Sequence, residues 1–211
     1  MPCVTAPAFE ISTERLLLRP WRTEDAKRVR ESLDRSASIL RPWVPFMRYE
    51  PRSLEQTREW LDRRREWFIE GINLCYAMFA IENGELVGEM TLMKSAFDGE
   101  FEFGYWVDSD YLRQGLATEG SAALVRLVFE LHQAQLIEAK VARPNVASLA
   151  VPRKLGFTHE GTRARRYVDC EGKRHDMETF VLFAEEYPDS PSSKYPVQVR
   201  DETGAVLLDQ M

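Results

Sequence analysis

The sequence predicts an α/β chain of the α+β kind, in which one mixed, mostly antiparallel, twisted sheet of about seven strands carries helices on both faces. Three observations support this. Residues 101–118, Phe-Glu-Phe-Gly-Tyr-Trp-Val-Asp-Ser-Asp-Tyr-Leu-Arg-Gln-Gly-Leu-Ala-Thr, read as a buried strand, a glycine-bearing loop and the start of a helix. Leu124, Leu127, Val128 and Leu131 recur at i, i+3, i+4 and i+7, an apolar stripe that must pack on a sheet. Asn83-Gly84, set between two apolar segments, is the strongest short hairpin signal.

Taken in order, Arg15 to Pro20 is a first strand, and Thr23 caps a helix running to about Leu33. A proline-bearing stretch, Ile39 to Tyr49, follows in extended form. Ser53 and Gln56 make a capping box for a helix that continues to about Glu70, with Trp60, Leu61, Trp67 and Phe68 on one face and Gly71 as terminator. Leu74 to Ile81 and Glu85 to Met93 form the hairpin, followed by the central strand at Phe101 and the striped helix. Leu136 to Val141 is a buried strand, and Thr162 to Cys170 pairs with Met177 to Tyr187 through Glu171-Gly172. Residues 1–187 thus make one domain. Residues 188–211 are an extension opening with Pro-Asp-Ser-Pro-Ser-Ser, in which Val197 to Arg200 and Ala205 to Leu208 form either a small hairpin or a loose tail.

The 211 residues are 44% hydrophobic, enough for one substantial core. With 34 acidic against 28 basic residues the net charge is −6, which disfavours a nucleic-acid binder that works by counterion release and suits a basic or amine substrate. No apolar run reaches the length of a membrane span, and the N-terminus lacks the basic and apolar regions of a signal peptide, so a cytoplasmic protein without a membrane partner is expected. Cys3, Cys75 and Cys170 are odd in number and scattered, as are His132, His159 and His175; neither a disulfide framework nor a metal site is expected. Arg63-Arg64-Arg65 reads as a solvated helix face. Arg163, Arg165 and Arg166 either reach a coenzyme phosphate or substrate carboxylate, or alternate on an exposed strand. The chain has neither a Gly-Lys-[Ser/Thr] phosphate loop nor a Gly-x-Gly-x-x-Gly turn, which argues against a nucleotide-binding protein.

The loop Leu112, Arg113, Gln114, Gly115, Leu116, Ala117, Thr118 is an anion cradle by construction. Main-chain N–H groups converging ahead of a helix N-terminus hold a diphosphate without any lysine. Gly115 and Ala117 let a ligand approach the backbone, and Thr118 is placed to accept an N–H bond early in the helix. The second block is Arg-Pro-Asn-Val-Ala-Ser-Leu-Ala-Val-Pro-Arg-Lys-Leu-Gly-Phe, residues 143–157. The two blocks, in this order and at this separation, resemble the acetyl-CoA signature of the GNAT acetyltransferases, most of all the RimJ/RimL branch that acetylates protein N-termini. The resemblance spans roughly Phe9 to Tyr187. It departs at Leu112, where the wider superfamily often has Arg or Gln.

The resemblance implies a GNAT fold, acetyl-CoA as cosubstrate, no metal, and direct transfer of acetyl to a primary amine, first of all a ribosomal or other protein N-terminus. A small-molecule amine such as an amino acid, polyamine or aminoglycoside is the alternative acceptor, and a non-catalytic acyl-CoA sensor or interaction module the alternative of another class. The protein would act as a monomer or homodimer. The resemblance also implies that Leu112 to Thr118 wrap the diphosphate. The main chain at Trp106 and Val107 would bond the pantetheine, with the block holding Asn145, Ser148 and Arg153 positioning its arm and thiol. Glu102 is the carboxylate placed as base, acting directly or through water; its alternation with Phe101 and Phe103 equally suits a solvent-facing glutamate. Ser148 would meet the departing thiolate or, alternatively, cap a helix beside Asn145. Trp43, Phe46 and Tyr49 either line the acceptor pocket or cover the core.

Overall fold

The computed structural model describes residues 8–95 and 97–211; Cys3, one of the three cysteines considered above, lies outside them. Ten strands occur among the described residues: β1 (Glu10–Ser12), β2 (Leu16–Pro20), β3 (Asn73–Ala80), β4 (Leu86–Lys94), β5 (Glu100–Val107), β6 (Leu136–Ala142), β7 (Thr158–Val168), β8 (Arg174–Phe183), β9 (Val197–Arg200) and β10 (Val206–Gln210). They make one sheet in the order β10-β9-β1-β2-β3-β4-β5-β6-β8-β7. Every described pairing is antiparallel except β5 with β6. Four helices, α1 (Ala26–Leu40), α2 (Leu54–Ile69), α3 (Leu116–Glu130) and α4 (Val146–Lys154), cover the two faces.

The sheet exceeds the seven expected strands by β1, β9 and β10. Three residues of β1 are too few for alternation to register in a sequence. The β9–β10 hairpin, marginal alone, is held because β9 pairs with β1 (Ile11 opposite Val199), which leaves Val197 and Val199 fully buried. Arg126 of α3, itself buried, ties this extension down by donating to the Tyr195 carbonyl and to Gln210 Oε1.

α1 runs on to Leu40 rather than stopping near Leu33, because Ser32 and Ser36 join Val29, Leu33 and Leu40 on its buried side. Serines break the apolar periodicity a sequence reading relies on, yet here they face the loop after β5, Ser32 donating to Asp108 and Ser36 accepting the Ser109 N–H. Thr23 is not the cap. Its hydroxyl donates to Asp62, while the Asp25 carboxylate accepts the Arg22 N–H (3.0 Å) and both terminal guanidinium nitrogens of Arg19 (2.8 Å each). The capping box of α2 forms as expected, Gln56 N–H donating to Ser53 Oγ (3.2 Å) and Ser53 N–H to Gln56 Oε1 (2.9 Å), and Gly71 ends the helix at φ +67°. Leu61 and Phe68 of α2 are buried, whereas Trp67 stays exposed. The turn between β3 and β4 occupies Ile81 to Glu85, with Gly84 at φ +70°.

Alternation along the strands divides the core in two. Phe101, Phe103, Ile137, Ala139, Phe180 and Leu182 pack with Leu124, Leu127 and Val128 of α3 and Leu149 of α4. On the opposite face Cys75, Ala77, Phe79 and Trp106 pack with Val29 and Leu33 of α1 and Leu61 of α2. Burial raises the Cys75 thiol to about 12, so it is core and not a nucleophile. Gly120 lies where α3 packs on the sheet, and a Cβ there would press on the Met90 and Met78 side chains. Among the described residues no helix is long and apolar enough to cross a membrane, and no group of three or more His, Cys, Asp or Glu side chains is placed to hold a metal ion.

Deleting residues 197–211 would expose the apolar surface that Val197 and Val199 cover and leave Arg126 without one acceptor. The unfolding free energy should fall by about 3 kcal/mol, counting roughly 1.5 kcal/mol for each buried valine. Urea denaturation measures this, and an unchanged midpoint would contradict the docking of the hairpin.

Candidate active site

The loop between β5 and α3 is built to leave its donors free. None of the main-chain N–H groups of residues 112–118 has a hydrogen-bond partner among the described residues; the first helical bond is Glu119 N–H to Gly115 O (3.0 Å). Gly115 sits in the left-handed region at φ +82°, which only glycine adopts without strain, and Arg113 takes φ +59°. Leu112, Arg113, Gln114 and Gly115 are exposed, while Leu116 and Thr118 are buried and Ala117 is partly so. Thr118 makes no capping bond, and Gly115 is the N-cap. Seven unpaired donors at the positive end of a helix fit a diphosphate, and Leu112, which offers no polar side chain, takes nothing from that main-chain arrangement.

A buried carboxylate secures each end of this loop. At the start, Asp108 is fully buried; Arg35 of α1 grips it with Nε (2.9 Å) and Nη2 (2.6 Å), Ser32 donates to it, and Asp110 N–H caps back onto it (3.0 Å). At the end, Glu119 accepts from Thr13 Oγ1 (2.6 Å), Arg15 N–H (2.9 Å) and Arg15 Nε (2.7 Å). Arg15 also donates to the Gln114 carbonyl (3.0 Å), so a loop carbonyl is occupied while the amides are not. Sequence reasoning missed Arg15, Arg35, Asp108 and Glu119 because their partners lie far along the chain.

β5 and β6 part where the coenzyme arm is expected. Their parallel pairing runs from Glu100 with Leu136 to Phe103 with Ala139 and stops, although β5 continues to Val107 and β6 to Ala142. Beyond Phe103, β5 is paired with β4 through Trp106 and Val107, and β6 with β8 through Ala142. The facing edges of Gly104 to Val107 and Lys140 to Ala142 thus flank an opening through the sheet. Asn145 stands beside it and caps α4, its Oδ1 accepting the Ser148 N–H (3.2 Å); Ser148 O faces the hydroxyl of Tyr105 at 3.5 Å. Ser148 Oγ has no partner among the described residues, so capping is the work of Asn145. Arg153 lies in the last turn of α4 with its guanidinium 5.6 Å from the centre of the Phe180 ring, and no hydrogen bond joins it to the 112–118 loop.

On the α1/α2 face of this opening stands Glu102, bound to Lys140 Nζ at 2.8 Å; the same ammonium holds Glu138 at 2.8 Å. Burial pushes the Lys140 ammonium toward neutrality, but the two carboxylates outweigh it and its pKa is raised. Glu102 is therefore not a free carboxylate. The segment after α1 forms the facing wall. Trp43 lies 6.1 Å from the His175 ring, Tyr167 OH donates to the Pro42 carbonyl (3.2 Å), and Phe46 packs on Trp60 at 5.2 Å. Tyr49 points outward, two-thirds exposed (66%), with the Arg52 guanidinium 5.8 Å from the centre of its ring. Arg64 does not belong to a solvated face: it turns inward over Trp60 and Phe46 and pairs with the buried Glu89 (2.9 Å), which also accepts from Trp21 Nε1 (2.6 Å). Trp106 is buried on this face and its Nε1 has no partner among the described residues.

Comparison with known proteins agrees with this geometry. Residues 15–158 match the acetyltransferase (GNAT) domain family. The chain is similar to the putative ribosomal N-acetyltransferase YdaF of Bacillus subtilis, 28% identical over 180 residues that cover 82% of this chain and 94% of that one. Its fold is similar to that of Mycobacterium smegmatis RimJ in complex with CoA-disulfide, with a TM-score of 0.72, 26% identity, and coverage of 90% of this chain and 91% of that one. It also shares the fold of RimL, a ribosomal alpha-N-protein acetyltransferase in complex with coenzyme A, with a TM-score of 0.74, 21% identity, and coverage of 81% and 95%. With its family profile spanning most of the chain, its unpaired loop donors and its parted strands, the protein belongs to the GNAT acetyltransferases.

Proposed function

We propose that the chain transfers acetyl from acetyl-CoA to the α-amino group of a protein or peptide N-terminus, in a cytoplasmic setting. The observation that carries this reading is the run of unpaired amides at residues 112–118, continuous with the opening between β5 and β6 that leads to the aromatic and acidic α1/α2 face. The relatives named as ribosomal acetyltransferases support the choice of acceptor.

Acetyl-CoA supplies an activated thioester carbonyl. The amides of Leu112 to Thr118 hold its diphosphate, and the β5 edge left without a β6 partner beyond Phe103, toward which Val107 directs its main chain, bonds its arm as an added strand would, an amide there steadying the developing oxyanion. Asn145 fixes the first turn of α4, and the Ser148 Oγ, which has no partner among the described residues, is the group that donates to the leaving sulfur. Glu102 and Glu138 give the acceptor face its negative charge, and Trp43 and Phe46 give it apolar walls. A cationic amine is drawn to this face and must lose a proton before it attacks. An α-amino group, with a pKa near 8, does so more readily than a lysine side chain near 10.4, which favours an N-terminal acceptor.

Gly115→Val should weaken coenzyme A binding by about 5- to 150-fold by calorimetry while the fold persists, because a β-branched residue resists the left-handed conformation at a cost of about 1–3 kcal/mol; unchanged affinity would contradict the cradle. Ser148→Ala should lower kcat by about 10- to 100-fold with the KM for acetyl-CoA unaltered, and unchanged turnover across pH would remove the hydroxyl from the mechanism. Peptides with free N-termini should release thiol in the presence of acetyl-CoA, whereas N-terminally blocked peptides bearing lysine should not. Reaction with polyamines or aminoglycosides alone would replace the acceptor, and binding without turnover would make the protein a sensor.

A further inference from the structure

Glu102 shares its charge with Lys140, so the proton of the acceptor ammonium needs another destination. One imidazole on the same face has the features of a base. His175 lies on β8 in register with Met177 and Thr179, and Thr179 pairs with Lys140 across β6, so alternation places His175 on the face that carries Glu102 and Lys140. Its ring stands between two aromatics, 6.1 Å from Trp43 and 6.2 Å from Tyr167, where the segment after α1 meets the β7–β8 hairpin. Its Nε2 is bonded to Asp169 Oδ2 at 2.7 Å. Asp169 is fixed in turn, its Oδ1 accepting the N–H groups of Glu171 (3.0 Å) and Lys173 (2.9 Å). A carboxylate held in this way keeps the proton on Nε2 and leaves Nδ1 as the lone-pair nitrogen, which has no partner among the described residues.

We propose that His175, oriented by Asp169, is the catalytic base that deprotonates the acceptor amine. The assignment rests on the acetyl-transfer reading above. In the step, Nδ1 takes one proton from the ammonium, and the amine lone pair forms the C–N bond at the thioester carbonyl. As the C–S bond breaks, the second amine proton passes to the thiolate through Ser148, so the products are the amide, the free thiol and one proton on the imidazole, released to water. Asp169 stabilises the transient imidazolium. The hydrogen bond from His175 is the main reason its carboxyl stays below the ordinary range, so it remains anionic throughout.

The surroundings leave this role to the imidazole. Burial, with the nearby Cys170 and Asp169, pushes the Tyr167 phenol up to about 12 against the opposing charge of Arg48, so that hydroxyl stays protonated. Arg174 and Asp176 fall on the opposite face of β8. Asp169 and Tyr167 stand directly at the ring, and Cys170 and Arg48 act on the Tyr167 phenol beside it. The pattern was hidden in the sequence, where His175 is one of three scattered histidines.

The test is the pH–rate profile of His175→Gln, whose amide can keep the bond to Asp169, beside wild type and Asp169→Asn. At pH 7 the glutamine variant should lose about 10-fold in kcat/KM for the amine, since only about a tenth of an α-amine of pKa near 8 is neutral there unaided. The deficit should shrink toward pH 9 as an α-amine of pKa near 8 sheds its proton unaided, and calorimetry should find coenzyme A affinity unchanged. Asp169→Asn should give a smaller loss of the same pH form. A deficit uniform from pH 6 to pH 9, no deficit, or a lost coenzyme affinity that marks the pair as a structural latch would each overturn the assignment. The comparison uses whichever amine the wild-type enzyme acetylates, so unreactive peptides contradict the acceptor reading alone, and an enzyme that acetylates no amine contradicts both.

Discussion

Two buried carboxylates and the arginines that neutralise them are the constraint on which the rest of the site depends. Asp108 and Glu119 bracket the loop of residues 112–118, and an anion could not settle between them if either charge were bare. Arg35 reaches Asp108 from α1 and Arg15 reaches Glu119 from the start of β2, so elements distant in sequence hold both ends of one short loop. The loop is then left with its carbonyl at Gln114 occupied and its amides free, the reverse of an ordinary tight turn. A site made of main-chain donors tolerates an apolar residue at Leu112, since the side chain contributes none of the donors.

The same arrangement couples the two faces of the sheet. Arg35 belongs to α1, and α1 leads directly into the segment bearing Trp43 and Phe46. The wall of the acceptor face is thereby attached to the root of the coenzyme loop through one bidentate ion pair, and the parting of β5 from β6 joins the two faces through the sheet. Arg64 and Glu89 stiffen that wall from below, their charges paired and sandwiched among Trp21, Trp60 and Phe46. The C-terminal hairpin acts at a distance, extending the sheet through β1 and clasping α3 through Arg126.

Much of this was legible in the sequence, for physical reasons. The α3 stripe, the α2 capping box and the strand that ends in the glycine loop are local signals, each set by residues within a turn or two of one another. What was illegible depends on distant partners. β1 becomes a strand only because β2 and β9 flank it. α1 outruns its apolar periodicity because Ser32 and Ser36 serve as small contacts facing Asp108 and Ser109. Thr23 and Thr118 have the chemistry of caps, but tertiary bonds or burial claim them, while Asn145 takes the cap that Ser148 was equally able to form. Arg64 looked like one of three solvated arginines, since nothing nearby announces that Glu89 lies beneath it. Alternation along β5 put Glu102 on the face opposite Phe101 and Phe103, but nothing nearby in sequence announced its Lys140 partner, and that ion pair changes what the carboxylate can do.

Amide hydrogen exchange across residues 112–118, measured with and without coenzyme A, probes the central claim most directly. The free protein should exchange these amides rapidly, since none of the described residues pairs them, and coenzyme A should slow them while leaving the interior of α3 unaltered. Protection already present in the free protein, or none gained on addition of coenzyme A, would contradict the account.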